Sequence, residues 1–344
     1  MQLLSIASHV PSFSCTQQEL WEQIHNLPQV SQLSERPQNL LERILCKSSG
    51  IHKRHFCHSD FETLFHAPAE ELNQRFEKTA PELGSQALRK ALEHSQLHPS
   101  DLDALLICTC TGYLCPGLSS HISESLELRS DCYLSDLVGI GCGAAIPLLR
   151  QASHFLAENP SAHVACIALE VCSSAFYLDD DIGVLISSAL FADGASASIW
   201  TGESSEALAS IEKRSFRTLH WPEEREKLRF KNSDGKLRNV LHSTVPEVAT
   251  RAVQKLIPPT SIEPNETLLI HPGGARVIRA IREAYPNQDL GISTHILEQF
   301  GNLSSPSILF CLEHALQDLS PRDNSLWLCS FGAGFSAHAC RISR

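Results

Sequence analysis

The 344-residue chain is short of positive charge: 28 Lys and Arg stand against 39 Asp and Glu, a formal net charge of −11 at pH 7. That balance excludes a general nucleic-acid binder, which needs a basic face to neutralise phosphate. Long apolar runs are missing too. No stretch approaches the roughly 18 uninterrupted apolar residues of a membrane helix, so no membrane partner is expected. The opening "MQLLSIASHVPSFSC" lacks the basic start and long apolar run of a signal peptide, and Pro11 interrupts it. A cytoplasmic protein is therefore expected. There is no low-complexity tract.

Cysteine is plentiful, at thirteen residues. An odd count in a chain neither short nor evidently secreted points to reduced thiols, most of them acting as small buried hydrophobes. Cys108, Cys110 and Cys115, with His121 nearby, resemble a ligand cluster. But Cys108 and Cys110 lie on an apparent strand, which points both thiols to one face with no chelating turn between them. The paired knuckles of a structural zinc site are absent, and no metal is expected. With 42% hydrophobic residues, the chain can bury a large core in one large or two medium domains without staples.

Short apolar runs at 103–112, 131–141 and 162–171 alternate with helical patterns at 82–97 and 144–159. The second part repeats the idea: a strand into a Gly turn (266–274), a helix (275–285), a helix (305–319) and two strands about a Gly-rich turn (325–342). Ser304 or Ser305 would cap the 305–319 helix, with Pro306 in its first turn. Such alternation predicts an α/β protein with buried sheets. The polar stretch from about 203 to 240 reads as a linker, with room for β-structure inside it.

Three residues carry chemistry. Cys142, between Gly141 and Gly143, falls at a strand-to-helix turn, where the helix dipole and unpaired backbone N–H groups favour a thiolate and can hold an oxyanion. A buried structural cysteine is the competing reading, and local context leaves both open. His271 ends an apolar strand before Pro-Gly-Gly, at the usual active edge of α/β sheets. Asn302, in "FGNLSS", could stabilise an enolate by a neutral amide N–H, although an ordinary Asn turn fits as well. Thiol hydrolases also use Cys, His and Asn, so residue type alone does not choose.

The surrounding motifs do choose. "CTCTGYLCPG" (108–117), "GIGCGAAIPLLR" (139–150), "ALEVCSSAF" (168–176), "ALFADGASASIW" (189–200), "IHPGGARVI" (270–278), "FGNLSSPSILFCLE" (300–313) and "SFGAGFS" (330–336) occur in the order found in type III polyketide synthases. The chain resembles that family, which includes chalcone and stilbene synthases, and resembles its bacterial members more than its plant ones. His-Pro-Gly-Gly distinguishes this branch from ketoacyl synthase III, whose motif reads His-Gln-Ala-Asn.

The resemblance implies a five-layered αβαβα thiolase-like fold of two similar halves. Residues 1–205 would carry the nucleophile and residues 206–344 the His and Asn. Cys142 would take an acyl group from a coenzyme A thioester, with a stabilised thiolate that alkylates faster than the other cysteines. His271 and Asn302 would hold the thioester oxygen of malonyl-CoA as it loses CO2. Phe191 would gate the cavity, and Cys110, Thr111 and Ala175 would line it. Cys115 stands where plant members carry a Met that reaches into the partner subunit of a homodimer.

Arg43 and Lys47, four apart on one helix face, would meet the coenzyme phosphates, helped by Gly273, Gly274 and Arg276, and also Arg279. A further family Lys is replaced by Leu40. No cofactor is implied, since CoA thioesters are substrates; the starter could arrive on CoA or on an acyl carrier. The loop that usually holds a second gating Phe is shortened, and "YLDDDIGVLISS" (177–188) is short and acidic. Other readings on the same fold are a single-condensation ketoacyl-synthase-III-like enzyme, a thioester hydrolase, or a non-catalytic subunit that binds an acyl carrier or partner.

Overall fold

The structure is a computed structural model that describes residues 1–204, 206–212, 214–318 and 325–344. Ser205, the expected end of the first half, and Leu319, the expected end of a helix, lie outside the described residues. In chain order the strands are β1 (Gln2–His9), β2 (Ser14–Thr16), β3 (Lys53–His55), β4 (Ala104–Thr109), β5 (Tyr133–Val138), β6 (His163–Glu170) and β7 (Gly194–Thr201). They continue with β8 (Ala209–Ile211), β9 (Arg217–His220), β10 (Leu228–Ser233), β11 (Lys236–Leu241), β12 (Glu266–Ile270), β13 (Ser325–Gly332) and β14 (Ser336–Ser343).

The main sheet runs β12-β13-β14-β8-β1-β7-β6-β4-β5, with β9 also on β14. Its two ends repeat one pairing scheme. β4 is parallel to β6, which is antiparallel to β7, which is antiparallel to β1. Likewise β12 is parallel to β13, which is antiparallel to β14, which is antiparallel to β8 and β9.

Side-chain alternation along these strands builds five layers. Leu105 and Ile107 face the helices Ala69–Ser95 and Leu118–Ser125, packing on Leu88 and Ile122. Leu106 and Cys108 face the other way, onto Leu149 and Leu309 of the central helices Ala145–Glu158 and Ser307–Asp318. Leu326 and Leu328 close that central core from the second half. Trp327 and Cys329 turn outward, against Val253 and Ile281 of the helices Val245–Leu256 and Ala275–Ala284. Strands covered on both faces explain the near-continuous apolar runs of the sequence.

The helix expected at 82–97 begins earlier, at Ala69, and runs through Pro81. Buried Leu72, Phe76, Ala80, Leu83 and Ala87 keep one stripe across that proline, so packing offsets its lost hydrogen bond. The stretch read as a linker is not one: β8 and β9 join the main sheet, and β10 and β11 form a hairpin. Glu223, Arg225, Glu226, Lys231 and Asp234 are exposed, whereas Arg217 on β9 is half-buried over the Trp327 ring. All thirteen cysteines are unpaired, and Cys108, Cys166, Cys311, Cys329 and Cys340 are wholly buried.

Candidate active site

After β5, Gly139 and Gly141, with φ of 86° and 67°, turn the chain into a single 3-10 turn, Gly141–Gly143. The helix Ala145–Glu158 follows at once, so Cys142 lies at a helix N-terminus. The second half supports this turn from below. A Cβ on Gly332 would come 2.6 Å from Gly143 N and 2.7 Å from Ile140 O, and Ser330 Oγ donates to Gly143 O at 3.0 Å. The glycines here serve the close approach of one chain segment to another.

His271 directly follows β12, its backbone N–H donating to Cys329 O at 2.8 Å and so prolonging the pairing with β13. Its ring stands edge-on to Phe331, with centroids 5.3 Å apart, and its buried Nδ1 has no hydrogen-bond partner among the described residues. Asn302 is held at both ends of its carboxamide: Nδ2 donates to Gly273 O at 3.2 Å and Oδ1 accepts from Ser304 N at 2.8 Å. Those two bonds fix which end is the donor and leave the second Nδ2 hydrogen for a ligand. Cys142, His271 and Asn302 all line one cavity of about 980 Å³.

Burial dominates the electrostatics. It pushes the Cys142 thiol up to about 12, opposed by the Ser304 hydroxyl and reinforced by the Glu170 carboxylate. It drives the His271 imidazole down to about 3. Desolvation of the anion thus works against the stabilised thiolate expected from the helix dipole, although Cys142 itself is half-buried at the cavity wall. At neutral pH the resting pair is a thiol and a neutral imidazole, which together hold the same one mobile proton as a thiolate and an imidazolium.

Sequence reasoning missed Glu170. This carboxylate, wholly buried at the end of β6, is ringed by donors. Thr109 Oγ1 (3.1 Å), Thr111 Oγ1 (2.8 Å) and Cys110 N (3.0 Å) reach Oε2. Cys110 Sγ (3.2 Å), Ser304 Oγ (3.3 Å) and Ser305 Oγ (2.6 Å) reach Oε1. Ser304 Oγ also lies 3.2 Å from Cys142 Sγ. Ser304 and Ser305 therefore do not cap the following helix as expected. Their hydroxyls are drawn to the buried charge, which is the stronger acceptor. One signal was available: a lone charge inside the apolar run "AHVACIALEV".

Cys110, Thr111, Ala175 and Phe191 border a second, far smaller pocket of about 20 Å³, room for about one water. Phe230 and Leu237 of the β10–β11 hairpin also line it; the loop expected to be shortened follows this hairpin, between Val240 and Val245, and does not contain Phe230. Cys115, expected to border the substrate pocket from the position of a residue that reaches into a partner subunit, is exposed and lines neither space of its own chain.

Arg43, Gly273, Gly274 and Arg276 line the large cavity; Lys47 and Arg279 do not. The helix Glu35–Arg43 passes into a π-helical turn, Ile44–Ser48, which breaks the 3.6-residue register that would have put Lys47 beneath Arg43. Arg36, two turns before Arg43, lines the cavity instead and went unnoticed in the sequence. Leu40 lines it too. Among the described residues no group of three His, Cys, Asp or Glu side chains could hold a metal ion, and no helix is long and apolar enough to cross a membrane.

The family described as FAE1/Type III polyketide synthase-like protein matches residues 3–258. A 3,5-dihydroxyphenylacetyl-CoA synthase of Streptomyces toyocaensis is 29% identical over 267 residues, 72% of this chain and 67% of that protein. A phloroglucinol synthase of Pseudomonas fluorescens is 23% identical over 343 residues, 95% of this chain and 94% of that one. The C-terminal type III polyketide synthase domain of Steely1 from Dictyostelium shares the fold, with a TM-score of 0.88 at 23% identity over 100% of this chain and 99% of that one. The chain belongs to the FAE1/type III polyketide synthase-like family: it is an acyl-transferring polyketide synthase on a thiolase-like fold.

Proposed function

We propose that this protein loads an acyl starter onto Cys142 and extends it with malonyl-CoA. As Cys142 Sγ attacks the starter thioester carbonyl, its proton passes to His271, which returns it to the departing coenzyme A thiol. Malonyl-CoA then enters. Its C–C bond to the carboxylate breaks, CO2 leaves, and the electron pair forms an enolate whose oxygen accepts hydrogen bonds from Asn302 Nδ2 and His271. The enolate carbon attacks the acyl carbon, and Cys142 departs as thiolate to take up a proton. The observation that carries this reading is the oriented Asn302 amide lining the same cavity as Cys142 and His271.

The thioesters are substrates and not resident cofactors. Arg36, Arg43 and Arg276 at the cavity wall suit coenzyme phosphates. The working unit is a homodimer in the cytoplasm. Strand β5 ends the sheet with Tyr133 and Val138 about half exposed, and Tyr113 of the nearby loop is 76% exposed. An open edge carrying apolar side chains suits pairing with a second copy. Light scattering of the purified protein tests that arrangement.

The decisive experiment is incubation with malonyl-CoA and a panel of acyl-CoAs, with mass spectrometry of protein and products. Acylated Cys142 with multiply extended products supports the proposal. Acylation followed only by free acid, or by a single ketoacyl product, would instead identify a hydrolase or a single-step condensing enzyme.

A further inference from the structure

Arg54, on β3, is wholly buried and forms hydrogen bonds only to neutral groups. Its Nε donates to Gln17 Oε1 at 2.8 Å, and its Nη1 donates to Ser188 O at 2.8 Å and Phe191 O at 2.7 Å. A buried cation that donates to neutral acceptors, with the buried Asp193 carboxylate as the opposite charge acting on it, costs stability compared with an apolar side chain of similar volume. Burial lowers its pKa to about 10, which still leaves it charged at neutral pH.

The carbonyls it meets belong to the end of the helix Ile182–Leu190 and the residue after it. A helix end leaves carbonyls without intrahelical partners, and each one here has a named donor. Ser188 O and Phe191 O take Arg54, and Ala189 O takes Gln17 Nε2 at 2.9 Å. Leu190 O takes the backbone N–H of Asn302 at 2.9 Å. Asn302 O in turn accepts from Ala192 N at 3.0 Å, closing a parallel bridge between Phe191 and Asn302. Gly301 lies against the arginine stem, where a Cβ would come 2.8 Å from Arg54 Cγ.

The pocket aromatic Phe191 and the amide donor Asn302 are thus held side by side by backbone bonds, and the cation beneath fixes the segment that carries both. We infer that Arg54, with Gln17, is a positioning residue for the enolate-forming step: it sets the place of Asn302 and Phe191 without touching substrate. The inference rests on the reading of Asn302 as the enolate donor. Cys142 stands on a different element, the turn after β5, and meets the Asn302 segment through the Ser304 hydroxyl at 3.2 Å, so its acylation is expected to depend on Arg54 far less than decarboxylation does. That separation distinguishes positioning from general support of the fold.

The test measures two half-reactions on the full-length protein: acylation of Cys142 by acetyl-CoA, read by intact-protein mass, and CO2 release from malonyl-CoA. In Arg54→Met, acylation is expected to stay within about threefold of wild type. Decarboxylation is expected to fall about tenfold or more, since a small displacement of an aligned donor has effects of that order. Arg54→Lys, which keeps the charge, is expected to recover part of that loss. Gln17→Leu removes an acceptor of Arg54 and the donor to Ala189 O while leaving the cation, and is expected to show the same split in weaker form. If Arg54→Met does not fold, Gln17→Leu decides alone. Equal losses in both half-reactions, or no loss in decarboxylation, would overturn the inference. A wild-type protein that neither takes up acetyl nor decarboxylates malonyl-CoA would overturn the underlying reading, and the role of Arg54 with it.

Discussion

Asn302 Nδ2 donates to Gly273 O at 3.2 Å, so the turn that follows His271 also orients the amide. Asn302→Asp replaces that donor with an acceptor facing a carbonyl. Malonyl-CoA decarboxylation is expected to fall by about a hundredfold or more, the usual scale for removing one oxyanion donor. Loading of Cys142 should persist. CO2 release and protein mass, measured in parallel, check this, and undiminished CO2 release would remove Asn302 from the mechanism.

Gly332 supports the nucleophile turn. A methyl group there meets Gly143 N at 2.6 Å, Ile140 O at 2.7 Å and Cys142 N at 3.0 Å, all backbone atoms that cannot rotate away. Gly332→Ala should destabilise the protein by about 1–3 kcal/mol, the scale of overpacking, and slow acylation of Cys142. Denaturant unfolding gives the first number and burst-phase acylation the second. A variant with wild-type values in both would show that the turn is not set by this contact.

Thiol labelling tests the neutral resting pair. With burial holding Cys142 up to about 12, iodoacetamide at pH 7 should modify exposed Cys115 before Cys142. Peptide mass mapping over a time course reads the order. Faster labelling of Cys142 would mean that His271 already holds the proton in the free enzyme.

Acid stability follows from three histidines that desolvation keeps neutral, His271 and His338 buried and His58 half-buried. Burial lowers His271 to about 3, and His58 and His338 to about 4, from an ordinary 6.5. Each binds its proton more weakly when folded, so its contribution is full above pH 6.5 and is lost as pH falls toward 4. Asp193 runs the other way: raised from 3.8 to about 6 by burial, it contributes below 3.8 and loses that contribution as pH rises through 6. Three protons against one leave the histidines dominant. The melting temperature should drop from pH 7 to pH 5, and less steeply in His338→Gln. A melting temperature that is flat or rises over this range would contradict the assignment.

Much of the fold was legible because buried parallel strands leave near-continuous apolar runs, and because glycine turns mark where they end. The expected strands at 103–112, 131–141 and 162–171 contain β4, β5 and β6. Legibility failed where a residue's surroundings come from distant segments. The charged stretch at 203–240 read as a linker because the three-residue β8 and four-residue β9 are too short to show a period, and the β10–β11 hairpin buries little of itself. Lys47 was misplaced because a π-helical turn leaves no periodic mark.

By itself the sequence determined the order of many elements and the types of reactive group: a thiol at a glycine turn, an imidazole at a strand end, an amide in a turn before a helix. Only the tertiary structure decided their state. Desolvation raises the Cys142 thiol and lowers the His271 imidazole, favouring the neutral form of each, and it depends on neighbours that no local pattern contains. Glu170 and Arg54 likewise look like unremarkable charges in the chain. They matter because folding brings Ser304, Ser305 and the Cys110 loop around one, and the last carbonyls of a helix around the other.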